Sequence, residues 1–169
     1  MKKFLFLLML LPATLCAQTS ICGVKFGTSY SEAESVLENK FGDKVYFLSD
    51  KTQIVFEDKM YAGIIWDRMF FCFQSDGYTS YLNRCILVIN CKSADEAKKK
   101  RDAIKKQMDD KYIILPYTDE KTGFKFYLGG ISPTDETKAG FSIDIIKYNN
   151  GTYGARLDYG PYNYVIEEL

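Results

Sequence analysis

The chain has 169 residues, with 22 basic and 22 acidic side chains and no histidine. Balanced charge gives no reason to expect a nucleic-acid partner, and the missing histidine excludes Ser-His-Asp and Cys-His catalysis together with the commonest metal-ligating side chain. No Gly-rich phosphate loop, Asp-x-Asp-x-Asp-Gly calcium loop or Cys-x-x-Cys pair occurs, so neither a cofactor nor a metal is expected.

Residues 1–17 read as a secretory signal peptide: Met1-Lys2-Lys3, an apolar run from Phe4 to Leu11, and a small residue, Ala17, before Gln18. The run falls short of the ~20 residues that span a bilayer. Acylation at Cys16 is not expected, because Leu15 stands where lipoprotein processing needs a small residue, so no stable membrane anchor follows. The expected product is one α+β domain, residues 18–169, periplasmic or secreted and slightly acidic once Lys2 and Lys3 are removed.

The first helix opens at the capping box Ser29-Tyr30-Ser31-Glu32, and Tyr30, Ala33, Val36, Leu37 and Phe41 recur at helical spacing before Gly42. Strand patterns follow at Lys44–Leu48, Gln53–Phe56, Tyr61–Trp66, Met69–Gln74 and Tyr81–Cys91, with turns at Asp67-Arg68 and Asp76-Gly77. A second capping box, Ser93 to Glu96, starts a lysine-rich helix with a thin apolar stripe of Ala94, Ala97, Ile104 and Met108. Acidic neighbours dilute its charge, so it reads as a solvated face. Strands at Tyr112–Leu115 and Phe124–Leu128, a loop from Gly129 to Gly140, and a hairpin of Phe141–Tyr148 with Thr152–Tyr159 complete the order.

This order implies an antiparallel sheet with two helices packed on one face. Ser29, Glu32 and Ala33 recur as Ser93, Glu96 and Ala97, which divides the chain into halves 23–91 and 92–169 if the echo marks a repeat and into nothing if it only marks two capping boxes. The layout, with Gly23–Ala33, resembles small secreted proteins of Gram-negative bacteria and, more distantly, the tandem helix-plus-sheet modules of β-lactamase-inhibitor-type proteins. That resemblance implies a curved sheet with helices on one face and binding on the other.

Beyond the leader lie Cys22, Cys72, Cys85 and Cys91. In an oxidising compartment they suit two disulfides, Cys72 with Cys85 and Cys22 with Cys91, or else four buried thiols. Among the carboxylates Asp144 stands out, inside the apolar run Phe141–Ile146. On a half-exposed strand such a residue more often faces solvent than performs chemistry.

The last third is rich in tyrosine: Tyr148, Tyr153, Tyr159, Tyr162 and Tyr164. A two-residue turn at Asn150-Gly151 sets Tyr148 opposite Tyr153. One hairpin face then carries Ser142, Asp144, Ile146, Tyr148, Tyr153, Ala155, Leu157 and Tyr159. The opposite face, with Phe141, Ile143 and Ile145, turns to the helices. The outward tyrosines suit recognition of protein or carbohydrate, although tyrosine pairs also stabilise a sheet that binds nothing. The expectation is an exported, non-enzymatic binding protein. A carboxylate-dependent hydrolase acting on carbohydrate or cell-wall material is the competing class, and a carrier of an apolar ligand inside a curved sheet is a third.

Overall fold

A computed structural model of the protein describes residues 19–163 apart from Asp76 and Tyr78. The leader read at residues 1–17 and Tyr164 lie outside the described residues. The architecture is α+β. A short hairpin, β1 (Ser20–Ile21) and β2 (Val24–Lys25), leads into α1 (Tyr30–Phe41), followed by β3 (Gln53–Tyr61), β4 (Ile64–Ser75) and β5 (Ser80–Cys91). Then come α2 (Ala94–Met108), β6 (Ile114–Thr118), β7 (Lys125–Gly129), β8 (Phe141–Lys147) and β9 (Tyr153–Tyr159). The large sheet is antiparallel throughout in the order β3-β4-β5-β9-β8-β7-β6, so the two central strands close the two helix-led stretches of chain. Those stretches are unequal, three long strands after α1 and four shorter ones after α2.

Both helices lie on the same face. Ala33 and Leu37 of α1 and Ala97 and Ile104 of α2 join one core cluster with Phe56, Phe71, Leu87, Ile143 and Leu157. The capping boxes behave differently. Ser93 Oγ accepts the Glu96 N–H, and Glu96 accepts the Lys92 N–H. Ser29 occupies the N-cap with extended backbone but caps no N–H with its side chain. Its backbone instead bridges to Tyr81.

The strands between the helices are longer and fewer than the sequence pattern suggests. The turn sits at Ala62-Gly63, both at positive φ (51° and 76°), which is the two-residue turn whose twist matches a hairpin. The expected turn at Asp67-Arg68 lies inside β4. There the Asp67 carboxylate accepts the Asn90 N–H at 2.6 Å, so a residue that usually marks a turn satisfies a neighbouring strand's donor instead. Trp66 is therefore buried in mid-strand, with its indole N–H donating to the Tyr61 carbonyl. The expected strand Lys44–Leu48 is instead a turn segment that covers the outer edge of β3, where the Val45 N–H donates to the Val55 carbonyl.

The C-terminal hairpin differs from expectation by one residue, and the consequence is large. Thr152 carbonyl accepts the Tyr148 N–H, and Asn150 Oδ1 accepts both the backbone and the hydroxyl of Thr152. These bonds enclose Asn149, Asn150 and Gly151 as a three-residue loop with Gly151 at φ 84°. Lys147, not Tyr148, then faces Tyr153, and Asp144 faces Arg156. A one-residue slip exchanges the two faces of a strand. Tyr153 and Tyr159 accordingly turn toward the helices with Ala155 and Leu157, and Tyr159 is 3% exposed.

Two expected outcomes follow from this register. Tyr159→Ser should destabilise the protein by about 3 kcal/mol, as truncation of a buried aromatic does, whereas Tyr148→Ser, outside the core, should cost less than about 1 kcal/mol. Chemical denaturation of the two variants measures both, and equal midpoints would contradict the register.

Candidate functional site

The face opposite the helices carries the candidate site. Across its centre one row of cross-strand neighbours reads Val55, Phe70, Ile86, Asp158, Ser142, Leu128 and Leu115, and the next reads Glu57, Arg68, Val88, Arg156 and Asp144. On this face lies a groove of about 510 Å³, within the ~300–1,000 Å³ range of ligand sites. Phe70, Ile86, Val88 and Ile146 line it with apolar surface, and Arg68, Arg156, Tyr148 and Asn90 add polar groups.

An ion-pair ladder borders the groove. Arg84 binds Asp158 through two bonds of 2.9 and 2.6 Å, and Arg156 binds Asp144 in the same forked way, also at 2.9 and 2.6 Å. Arg156 Nη1 lies a further 3.7 Å from Asp158. Hydrogen bonds to these carboxylates hold both arginine pKa values above the ordinary range, against the desolvation that opposes them. Arginine, not lysine, suits this geometry because its planar fork meets both carboxylate oxygens at once.

Tyr148 reaches over Gly154. A methyl group at Gly154 would meet the Tyr148 hydroxyl at 2.8 Å and Val88 at 3.2 Å, so the missing side chain makes room for the ring. Burial pushes the Tyr148 pKa up, while Arg68 and Arg156 pull it down. The hydroxyl therefore sits in the field of both guanidinium groups.

Of the residues singled out in the sequence, Tyr148 and Asp144 are on this open face, Tyr148 lining the groove and Asp144 behind Arg156. Tyr153 and Tyr159 belong to the helix side. Tyr162 is buried against Phe26, with its hydroxyl donating to the Gly140 carbonyl. The expected outward row of hairpin tyrosines is thus corrected: of those described, only Tyr148 stands on the open face, among arginines and apolar side chains. Asp144 and Asp158 direct their oxygens to arginines and neither lines the groove, so the acid pair that a carboxylate hydrolase needs is not assembled there.

The expected disulfides are absent: Cys22, Cys72, Cys85 and Cys91 are free thiols. Cys85 pairs with Phe71 while Cys72 pairs with Arg84, which places the two sulfurs on opposite faces of the sheet. Cys22 sits in the β1–β2 turn, within the electrostatic reach of Cys85. Cys91 lies six residues further along β5, roughly 20 Å from Cys85 at strand spacing. Burial raises the Cys22 thiol to about 12 and the Cys85 thiol well above its usual value.

Sequence reasoning overlooked Arg68 and Arg84, and the expected two-residue turn set Arg156 on the helix-facing side with Phe141, Ile143 and Ile145, whereas the observed register turns it to the open face; a signal existed. The chain holds 4 arginines against 18 lysines, and three of the four stand on the open face. The sheet lysines Lys59, Lys125 and Lys147 stand on the helix side, where Lys59 pairs with Trp66 and Lys147 with Tyr153. Arg101, the fourth, is buried at α2, where it stacks over Tyr127 and donates to the Lys125 carbonyl.

These features define a two-layer α+β protein whose sheet leaves one face open over an arginine- and tyrosine-walled groove. No protein-family model matches the chain, and no curated protein or solved structure matches it either.

Thiol accessibility follows directly. Of the four described cysteines, only the half-buried Cys72 lines the groove, so a thiol reagent applied to the folded protein should modify Cys72 first. The other three should react only on unfolding. Peptide mapping after partial alkylation checks this, and labelling of Cys85 ahead of Cys72 would contradict the assigned faces.

Proposed function

We propose that the protein is an exported, non-enzymatic binding module that docks a protein partner on the open face of its sheet. The observation that carries the reading is the partition of side chains. The open face gathers Phe70, Ile86, Val88, Ile146 and Tyr148 with three arginines and no strand lysine. Aromatic residues and arginine are enriched in protein interfaces and lysine is depleted. Leu115 and Tyr117 extend this apolar surface onto β6, 53% and 45% exposed.

A protein partner suits this face better than carbohydrate. Sugar recognition draws on exposed aromatic rings and polar groups, and here the β9 tyrosines are turned inward while the groove floor is largely aliphatic. The leader-like residues 1–17 support action in the periplasm or outside the cell, and the balanced charge supports a partner other than nucleic acid. No described helix is long and apolar enough to cross a membrane.

Site-specific photocrosslinking in the producing cell tests the reading. A photoreactive residue in place of Ile86 should yield discrete adducts that disappear when Val88→Asp is added. The same residue in place of exposed Lys99 on α2 should yield none. Adducts from Lys99 alone, or from neither position, would overturn the assignment, with circular dichroism confirming that each variant is folded.

A further inference from the structure

The charges of the groove indicate what the partner presents. Its lining contains two arginines and no acidic side chain. In the cross-strand row Glu57, Arg68, Val88, Arg156, Asp144 the two acids stand behind the arginines, Glu57 on the far side of Arg68 and Asp144 on the far side of Arg156, while Asp158 in the neighbouring row is held by Arg84. Arg68 and Arg156 are thus two strands apart, about 10 Å between backbones, and flank Val88.

Each arginine keeps donors free of the acid behind it. Arg68 bonds Glu57 through Nε alone, at 2.9 Å, and its side chain is 47% exposed. Arg156 commits Nε and Nη2 to Asp144, whereas Nη1 is 3.7 Å from Asp158, beyond hydrogen-bond length. Tyr148 lies over Gly154 between them and offers a hydroxyl. Three sets of donors therefore converge on the space above Val88, beside an apolar floor. Each guanidinium is already partly neutralised from behind, which matches a single carboxylate better than a dianionic phosphate.

We infer that the groove recognises an acidic side chain flanked by apolar residues on a protein partner. The carboxylate lies above Val88 between Arg68 and Arg156, and its apolar neighbours lie on Phe70, Ile86 and Ile146. This rests on the reading of the open face as the docking surface and adds the chemistry of what docks.

The test is a nitrogen-15 NMR titration of the folded protein with two short probes, N-acetyl-Leu-Asp-Leu-amide and its Asn counterpart. The Asp probe should shift the amides of Val88 and Arg156 and bind about fivefold more tightly than the Asn probe, as expected for one partly exposed ion pair. Arg68→Gln, which removes only a surface pair with Glu57, should abolish that preference. Equal affinity of the two probes at the open face would overturn the carboxylate inference and leave the docking surface standing. Shifts confined to the helix side, or none with either probe, would overturn both.

Discussion

Everything on the open face depends on how β5 pairs with β9. The two strands meet in seven consecutive antiparallel pairs, from Cys85 with Tyr159 to Cys91 with Tyr153, and among the described residues this is the seam that joins the α1-led and α2-led parts of the large sheet. The seam is long-range and must overcome the entropy of closing the chain between the strands. Its cross-strand neighbours are buried on the helix side: Leu87 with Leu157, Ile89 with Ala155. Because side chains alternate, burying that set turns Ile86, Val88, Arg156 and Asp158 outward together. The groove is the reverse side of the core and inherits its register.

The ion-pair ladder performs on the open face part of what the core performs on the other. Arg84 on β5 reaches Asp158 on β9, and Arg156 on β9 reaches Asp144 on β8, so three strands are cross-linked by side chains as well as by backbone. Asp158 is 5% exposed, yet both of its oxygens accept arginine bonds, which is the condition under which a buried charge is tolerated. The arrangement also sorts charge. Acids occupied by the ladder lie outside the groove, and the groove wall is left with cations.

Much of the architecture is legible in the sequence, because both helices announce themselves by apolar spacing and the β4–β5 and β8–β9 hairpins by their turn residues. The face proposed for docking is legible only in part. Its orientation hangs on whether the Asn150-Gly151 turn holds two residues or three, and the deciding contact is the Asn150 side chain on Thr152, which two-residue and three-residue loops share in composition. Ala62-Gly63 gives a weak turn signal because alanine rarely adopts positive φ, whereas Asp67 gives a strong one that bonding to Asn90 overrides. Cysteine spacing suggested disulfides, but pairing depends on which way each thiol faces, and a single step in register separated Cys72 from Cys85.

The sheet's edges bear on the proposal that recognition falls to its face. A free edge invites strand addition, and both edges here are obstructed over part of their length. At β6 the alternation set by the Asp119 N–H bond to Phe124 turns the backbone of Ile114, Pro116 and Thr118 outward, and Pro116 has no N–H to offer at the centre of that edge. At β3 the segment around Val45 to Asp50 already occupies the edge: Val45 donates to Val55, and Val55 donates to Ser49 Oγ. That same segment carries Tyr46 and Phe47, 69% and 84% exposed, and is tied to the groove by Gln53, which lines it and donates to the Leu48 carbonyl. From β3 to β6 the sheet is about 30 Å across at ordinary strand spacing. A surface of that width approaches the roughly 800 Å² that each partner buries in a standard protein interface. With strand pairing hindered at both edges, the partner we propose would draw its affinity from side-chain contact across this face, which is where the arginines and apolar groups are collected.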